Sequence, residues 1–167
     1  MMLASKDERR WLLNRMANGL ASHLGQTQPP LPLEPFFQQP PGLYRDDFQL
    51  LNLDIGLWDA SFVRALDGQG MIYVNPDLEP NERRFALARE LFIAIATSRH
   101  GRDLGLYDLV REDLVSCANY FARVLLAPDV LLRAYQKTGG DLSGFSKTFQ
   151  IPPRVAAMRW EDTLSED

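Results

Sequence analysis

Two charged residues stand within a long apolar segment of the sequence. Arg89 and Glu90 are the only charged residues between Phe85 and Thr97. A positioned glutamate can serve as a general base, and an arginine can pair with carboxylates. Neither residue has an oppositely charged residue three or four positions away, where side chains of one helix meet. We therefore expect each of them to reach solvent on an exposed edge, a cleft or another element of the fold.

Three blocks of sequence are informative in combination: Met71–Asn75, Arg83–Ile93 and Ala118–Pro128. In order and spacing they resemble the ImmA/IrrE family of zinc metallopeptidases, in which a strand that ends in asparagine precedes the helix R-F-T-L-A-H-E-L-G-H and a helix A-N-x-F-A-x-x-L-L-x-P follows it. Residues Asp141–Trp160 resemble the family's closing helical pair. The resemblance therefore extends over roughly residues 66–160 and implies a zincin-like peptidase fold.

The resemblance implies a zinc site whose ligands are replaced in this chain. In the family, two histidines one helical turn apart and a glutamate bind zinc, and the glutamate after the first histidine is the general base. The ligand positions fall on Arg89, Ile93 and Val115, and the base position falls on Glu90. Arginine stays protonated, and isoleucine and valine have no lone pair to donate. Glu90 is therefore expected to be a vestigial base. For the chain we expect no catalytic residue, no bound metal and no cofactor.

Arg89 supplies a cation where the family holds its metal. One interpretation is that its guanidinium fills that space and pairs with Glu90, or with Glu112 or Asp113 on the neighbouring helix. The alternative is that Arg89 extends into solvent through an open cleft. Glu112 and Asp113 precede the third ligand position by about a turn, which disfavours a rebuilt metal site. The candidate cleft residues are Arg89, Glu90, Ile93, Val115 and Asn119.

The segments that position these residues predict an α+β fold, with a small antiparallel sheet and a mostly helical body. Glycines at residues 67–70 predict a hairpin turn between the second and third strands. The strands are predicted at residues 48–53, 61–66 and 71–74. Helices are predicted at residues 6–24, from 81 to about 98, 111–126, 129–137, 141–149 and 152–160.

The N-terminal region is predicted to combine a helix with a proline-rich arm. Six prolines fall between Gln26 and Gly42, and each fixes its own backbone and removes a donor. We expect this arm to form no regular element and to dock rather than to build the core. Of Phe36 and Phe37, one is expected to be buried and the other free for a partner. The predicted organisation is residues 1–45 for the helix and arm, 46–160 for the metallopeptidase-like domain, and 161–167 for an acidic tail.

Composition limits the classes of partner. The 167-residue chain has 46% hydrophobic residues and a formal net charge of -4, which provides no overall positive field for nucleic acid or anionic lipid. Its apolar runs are too short to span a membrane. The closing helical pair has few basic residues, so its packing on the core is favoured over DNA binding. The single cysteine, Cys117, favours a reducing compartment, and we expect a cytoplasmic protein.

Two classes of function fit these features. The first is a non-catalytic pseudo-peptidase that acts as a regulatory or protein-binding protein. The resemblance implies a transcriptional regulator as its partner, and a homodimer is a further alternative. The second is an enzyme, either a metal-dependent peptidase with a rearranged site that cleaves a transcriptional regulator, or another hydrolase that uses Glu90. The metal content of the protein distinguishes the two classes.

Overall fold

The computed structural model describes residues 5–25, 27–54, 56 and 58–164, without the side chain of Phe48. These residues form a small sheet and a mainly helical body, which confirms the predicted α+β class. The strands are β1 (Phe48–Asn52), β2 (Ala60–Arg64) and β3 (Gly70–Val74). The helices are α1 (Lys6–His23), α2 (Glu34–Gln38), α3 (Pro80–Thr97), α4 (Arg99–Asp103), α5 (Leu106–Val110), α6 (Leu114–Leu126), α7 (Asp129–Lys137), α8 (Leu142–Phe149) and α9 (Pro153–Leu164), with 3-10 helices at Gly42–Tyr44 and Arg111–Asp113.

The sheet is mixed, with the strand order β1-β3-β2. β2 and β3 form the predicted antiparallel hairpin, in which the Ala65 N–H donates to the Gln69 carbonyl at 2.8 Å and Gly68 adopts a φ of 90°. β1 pairs with β3 in parallel, so the expectation of an entirely antiparallel sheet is wrong. The reason is that β1 ends and β2 begins at the same end of the sheet, because Asn52 and Ala60 both pair with Val74 from opposite sides of β3. The chain thus reaches both edges of the sheet before it fills the centre.

Helix α3 lies at the centre of the fold. It packs on β2 and β3 on one side and on α6 on the other, and α1 packs on α6 in turn. Ile72 and Val74 of β3 are fully buried on the face of the sheet that meets α3. Between α3 and α6, the rings of Phe92 and Phe121 lie 4.9 Å apart between their centroids. Apolar burial on both sides of α3 therefore fixes the orientation of this helix and the direction in which Arg89 and Glu90 point.

The proline-rich arm contributes to the core, and the expectation that it only docks is wrong. Leu31, Leu33 and Phe36 are fully buried, and Phe37 is half-buried. The arm also contains the short helix α2, so the expectation that it forms no regular element is wrong. Pro35 stands in the first turn of α2, where a proline is tolerated. Arg84 of α3 donates to the Leu31 carbonyl at 2.7 Å, which joins the arm to the central helix. A role of Phe37 in partner binding stays a prediction.

The closing pair, α8 and α9, packs on the helical body. Phe145 and Phe149 of α8 and Val155 of α9 are buried. Arg159 of α9 is fully buried, donates to the Ala127 carbonyl at 3.0 Å and pairs with Asp129. The pair thus closes the end of α6, as its apolar spacing predicted.

None of the helices within the described residues has, by itself, the length and apolar character of a membrane span. The segments Leu106–Leu126 and Asp129–Lys137 reach that level only when they are taken together, and they are bent by 51°.

Candidate functional site

Arg89 and Glu90 lie in the middle of α3, on the side that faces β2. The Arg89 Nε donates to Glu90 Oε1 at 2.9 Å, so the two neighbours form an ion pair on one helix. Pairing with Glu90 was one of the contacts considered for Arg89 in the sequence, although helical spacing alone does not favour it, because adjacent helical residues usually diverge. Both side chains turn toward the sheet, and Glu90 is only 5% exposed. The pair is therefore a charged bridge across the α3–β2 boundary rather than a solvated edge.

Asp59 completes the site and was missed by the sequence analysis. It is the residue before β2, and its two carboxylate oxygens accept from Nη1 and Nη2 of Arg89 at 3.0 and 2.8 Å. This bidentate geometry matches the fork of the guanidinium. The Asp59 Oδ1 also accepts from the Ala60 N–H at 2.6 Å. The only signal in the sequence was an acidic residue at the start of a short apolar strand, which does not identify a partner thirty positions away.

The pKa values of the two carboxylates around Arg89 are shifted in opposite directions. Burial raises the pKa of Glu90, and the charge and hydrogen bond of Arg89 only partly oppose this effect. Burial acts to raise the pKa of Asp59 as well, but the bidentate hydrogen bonds and charge of Arg89 outweigh it and lower that pKa. The difference arises because Asp59 is 39% exposed in its side chain, whereas Glu90 is almost completely enclosed.

Strand β2 is held against α3 at both of its ends. Just before its start, Asp59 pairs with Arg89 of α3 at 2.8 Å. At its end, Arg64 pairs with Asp47 at 3.1 Å and donates to the Ala94 carbonyl of α3 at 3.0 Å. These contacts fix the position of β2 on α3.

The remaining predicted site residues lie on α3 and α6. Ile93 is half-buried one turn after Arg89. Val115 lies in the first turn of α6 and is 65% exposed, and Asn119 is half-buried one turn later. The partners of Arg89 are Asp59 and Glu90; the exposed Glu112 and Asp113 lie in the 3-10 helix before α6.

These residues do not fit a zinc ion. Arg89 offers only donors and is already engaged by two carboxylates, and Ile93 and Val115 are apolar. The two histidines, His23 and His100, belong to α1 and α4. Within residues 5–164, apart from the undescribed positions, no group of three His, Cys, Asp or Glu side chains is arranged to hold a metal ion.

Comparison with known proteins supports the family resemblance. The IrrE N-terminal-like domain family (Peptidase_M78) matches residues 45–161, which is more than half of the chain. A solved structure described as a Mycobacterium tuberculosis transcriptional regulator shares the fold, with a TM-score of 0.64 and 18% sequence identity. The match covers 89% of this chain but only 46% of that one, so the chain spans less than half the length of that protein. No curated protein sequence matches the chain significantly. The match over residues 45–161 shows that the chain belongs to the IrrE N-terminal-like domain family, Peptidase_M78.

Proposed function

We propose that this chain is a non-catalytic member of its family, a pseudo-peptidase that acts in regulation by binding a protein partner. The observation that carries this proposal is the guanidinium of Arg89, held between Asp59 and Glu90 at distances of 2.8 to 3.0 Å. The cation replaces a metal ligand at the first ligand position. A positive charge thus joins α3 to β2 without a metal.

The surroundings of Glu90 argue against a role in hydrolysis. Glu90 is only 5% exposed, and its carboxylate accepts from the guanidinium of Arg89. A general base in this family acts on a water that the metal activates, and such a water needs ligands that this chain lacks. Glu90 is therefore proposed to be a structural acceptor for Arg89, which joins α3 to β2 through Asp59.

The regulatory part of the proposal has separate support. One solved structure that shares this fold is described as a transcriptional regulator, and the sequence resemblance implies a regulator as partner. A chain that keeps the family fold but not the metal ligands is suited to binding without cleavage. We place this function in the cytoplasm, where the single thiol of Cys117 would remain reduced.

A restoration experiment tests the loss of the metal site. The triple variant Arg89→His, Ile93→His, Val115→Glu returns the three family ligands, and it should bind zinc after dialysis against the metal. The matched control is the double variant Arg89→His, Ile93→His, which lacks the third ligand and should bind zinc more weakly. Thermal unfolding of both variants shows whether they remain folded. If the unaltered chain binds zinc as tightly as the folded triple variant, the proposal is wrong.

The alternative is a peptidase with rearranged ligands. It predicts that the unaltered protein, supplied with zinc, cleaves a protein substrate and that Glu90→Gln abolishes this cleavage without unfolding the chain. The pseudo-peptidase proposal predicts no difference between the two proteins in the same assay.

A further inference from the structure

The outer face of the sheet carries an exposed apolar surface. Its side chains surround a concavity of about 450 Å³. Trp58 is 66% exposed and Leu53 is 49% exposed, which is unusual for side chains of this size. We call this region the outer sheet surface; it is formed by Leu51, Leu53, Trp58, Ser61, Val63 and Tyr73.

Strand alternation places this surface opposite the Arg89 site. Ile72 and Val74 of β3 point toward α3, so Tyr73 between them points outward. In the register of the sheet, Leu51 and Ser61 flank Tyr73 on either side. Among the described elements, the helix that packs extensively on β2 and β3 is α3, on the inner face. The outer sheet surface therefore lies on the opposite face of the sheet from Arg89 and Glu90.

Acidic side chains surround the outer sheet surface. Residues 45–79 contain seven acidic residues and two basic ones, Arg45 and Arg64. Asp47 is neutralised by Arg64 and Asp59 by Arg89. The exposed acidic residues that remain lie in the loops at the two ends of the strands: Asp46, Asp54, Asp67, Asp77 and Glu79. Two cations also lie at these strand ends, Arg45 and Arg83, the latter beside Asn52 and Asn75, so the rim keeps an excess of acidic side chains around an apolar centre.

The charge of the rim indicates which kind of protein can bind the outer sheet surface. A second copy of the chain would bring the same acidic loops against their own equivalents, and the whole chain already has a net charge of -4. A partner with basic residues around apolar side chains would instead have complementary charge. Exposed tryptophan is also among the residues that contribute most when an interface buries them.

We propose that the outer sheet surface is a docking site for a protein segment that has apolar anchor side chains flanked by lysine or arginine. This inference rests on the proposed protein-binding function and names the chemistry of the partner. It uses a surface away from Arg89 and Glu90, so metal content and cleavage assays do not bear on it. Conversely, failure of this docking site would leave the absence of a metal site in place.

Binding of labelled peptides tests the proposal. The probes are two fluorescein-labelled peptide libraries with the same randomised apolar core, one flanked by lysines and the other by glutamates. Fluorescence anisotropy should show binding of the lysine-flanked peptides that weakens as salt is added. The glutamate-flanked peptides should bind at least about tenfold more weakly. Equal binding of both libraries, or no binding of the lysine-flanked library, would overturn the proposal.

Substitutions locate the binding. Trp58→Ser and Leu53→Ser should each weaken the binding of the lysine-flanked peptides by about tenfold or more. The matched control is Leu104→Ser, because Leu104 is similarly exposed but lies after α4, away from the sheet. Unchanged melting temperatures establish that the variants fold. If Leu104→Ser weakens binding as much as Trp58→Ser, or if Trp58→Ser dissociates a dimer in analytical ultracentrifugation, the assignment to a basic partner is wrong.

Discussion

The guanidinium of Arg89 holds the carboxylate of Asp59 through two hydrogen bonds of 2.8 and 3.0 Å, although the residues are 30 positions apart. The contact joins the middle of the central helix α3 to the start of the edge strand β2. A second carboxylate, that of Glu90, accepts from the same guanidinium at 2.9 Å. One partly buried cation is thus shared by two acids, one on α3 and one just before β2. Removal of either carboxylate should therefore weaken the contact between α3 and β2.

The first prediction concerns the bridge to the sheet. Asp59→Asn removes the charge that Arg89 pairs with, and should lower the free energy of unfolding by about 1 kcal/mol, a value kept small because Asp59 is partly exposed. Urea unfolding measures the change. The control is Asp77→Asn, at an exposed acidic residue beyond β3, which should change stability by less than about 0.5 kcal/mol. Equal effects of the two substitutions would show that the Arg89–Asp59 pair is not a stabilising contact.

The second prediction is a pair of opposite pH dependences. The pKa of Glu90 is raised in the fold, so its contribution to stability is full below its ordinary value of 4.5 and is lost as the pH rises through the folded value. The pKa of Asp59 is lowered, so its contribution is present above its ordinary value of 3.8 and is lost as the pH falls through the folded value.

Each carboxylate can be tested against its amide. As the pH rises from about 3 to about 7, the unaltered protein should lose stability relative to Glu90→Gln and gain stability relative to Asp59→Asn. Urea midpoints of the three proteins across this range provide the measurement. If the stability difference between the unaltered protein and the variant changed with pH in the same direction for both variants, one enclosed and one solvent-facing acid around Arg89 would be contradicted.

The third prediction concerns the proline-rich arm. Phe36 is fully buried among core side chains, so Phe36→Ala should lower the free energy of unfolding by about 3 to 5 kcal/mol. Phe37 is half-buried, and Phe37→Ala should cost less than half of that amount. Thermal and urea unfolding compare the two variants. Similar small effects at both positions would indicate that the arm does not belong to the core.

Local patterns predicted the elements that carry the site. The helices α3 and α6 follow from their apolar spacing, and the β2–β3 hairpin follows from the glycines at residues 68 and 70. These signals lie within one element or one turn. It was therefore predictable that Arg89 and Glu90 lie on an apolar helix. It was also predictable that they lack an oppositely charged residue three or four positions away on that helix.

Long-range relationships were not predictable in the same way. The parallel pairing of β1 depends on the side of β3 on which β2 begins, for which the sequence has no periodic signal. The pairing of Asp59, the residue before β2, with Arg89 depends on the same placement. In the arm, six prolines indicate the backbone conformation but not that Leu31 and Leu33 are buried. Which side chains an irregular segment buries is decided by the surface on which it packs.

The zinc content of the unaltered protein tests the central claim most directly. The protein would be purified without chelators, incubated with excess zinc, dialysed and analysed for metal per chain, with the Arg89→His, Ile93→His, Val115→Glu variant as the positive control. We predict far less than one zinc per chain in the unaltered protein, because Arg89 occupies the first ligand position and is held by Asp59 and Glu90. Near-equimolar zinc that is lost in the Glu90→Gln or Asp59→Asn variant would contradict the account.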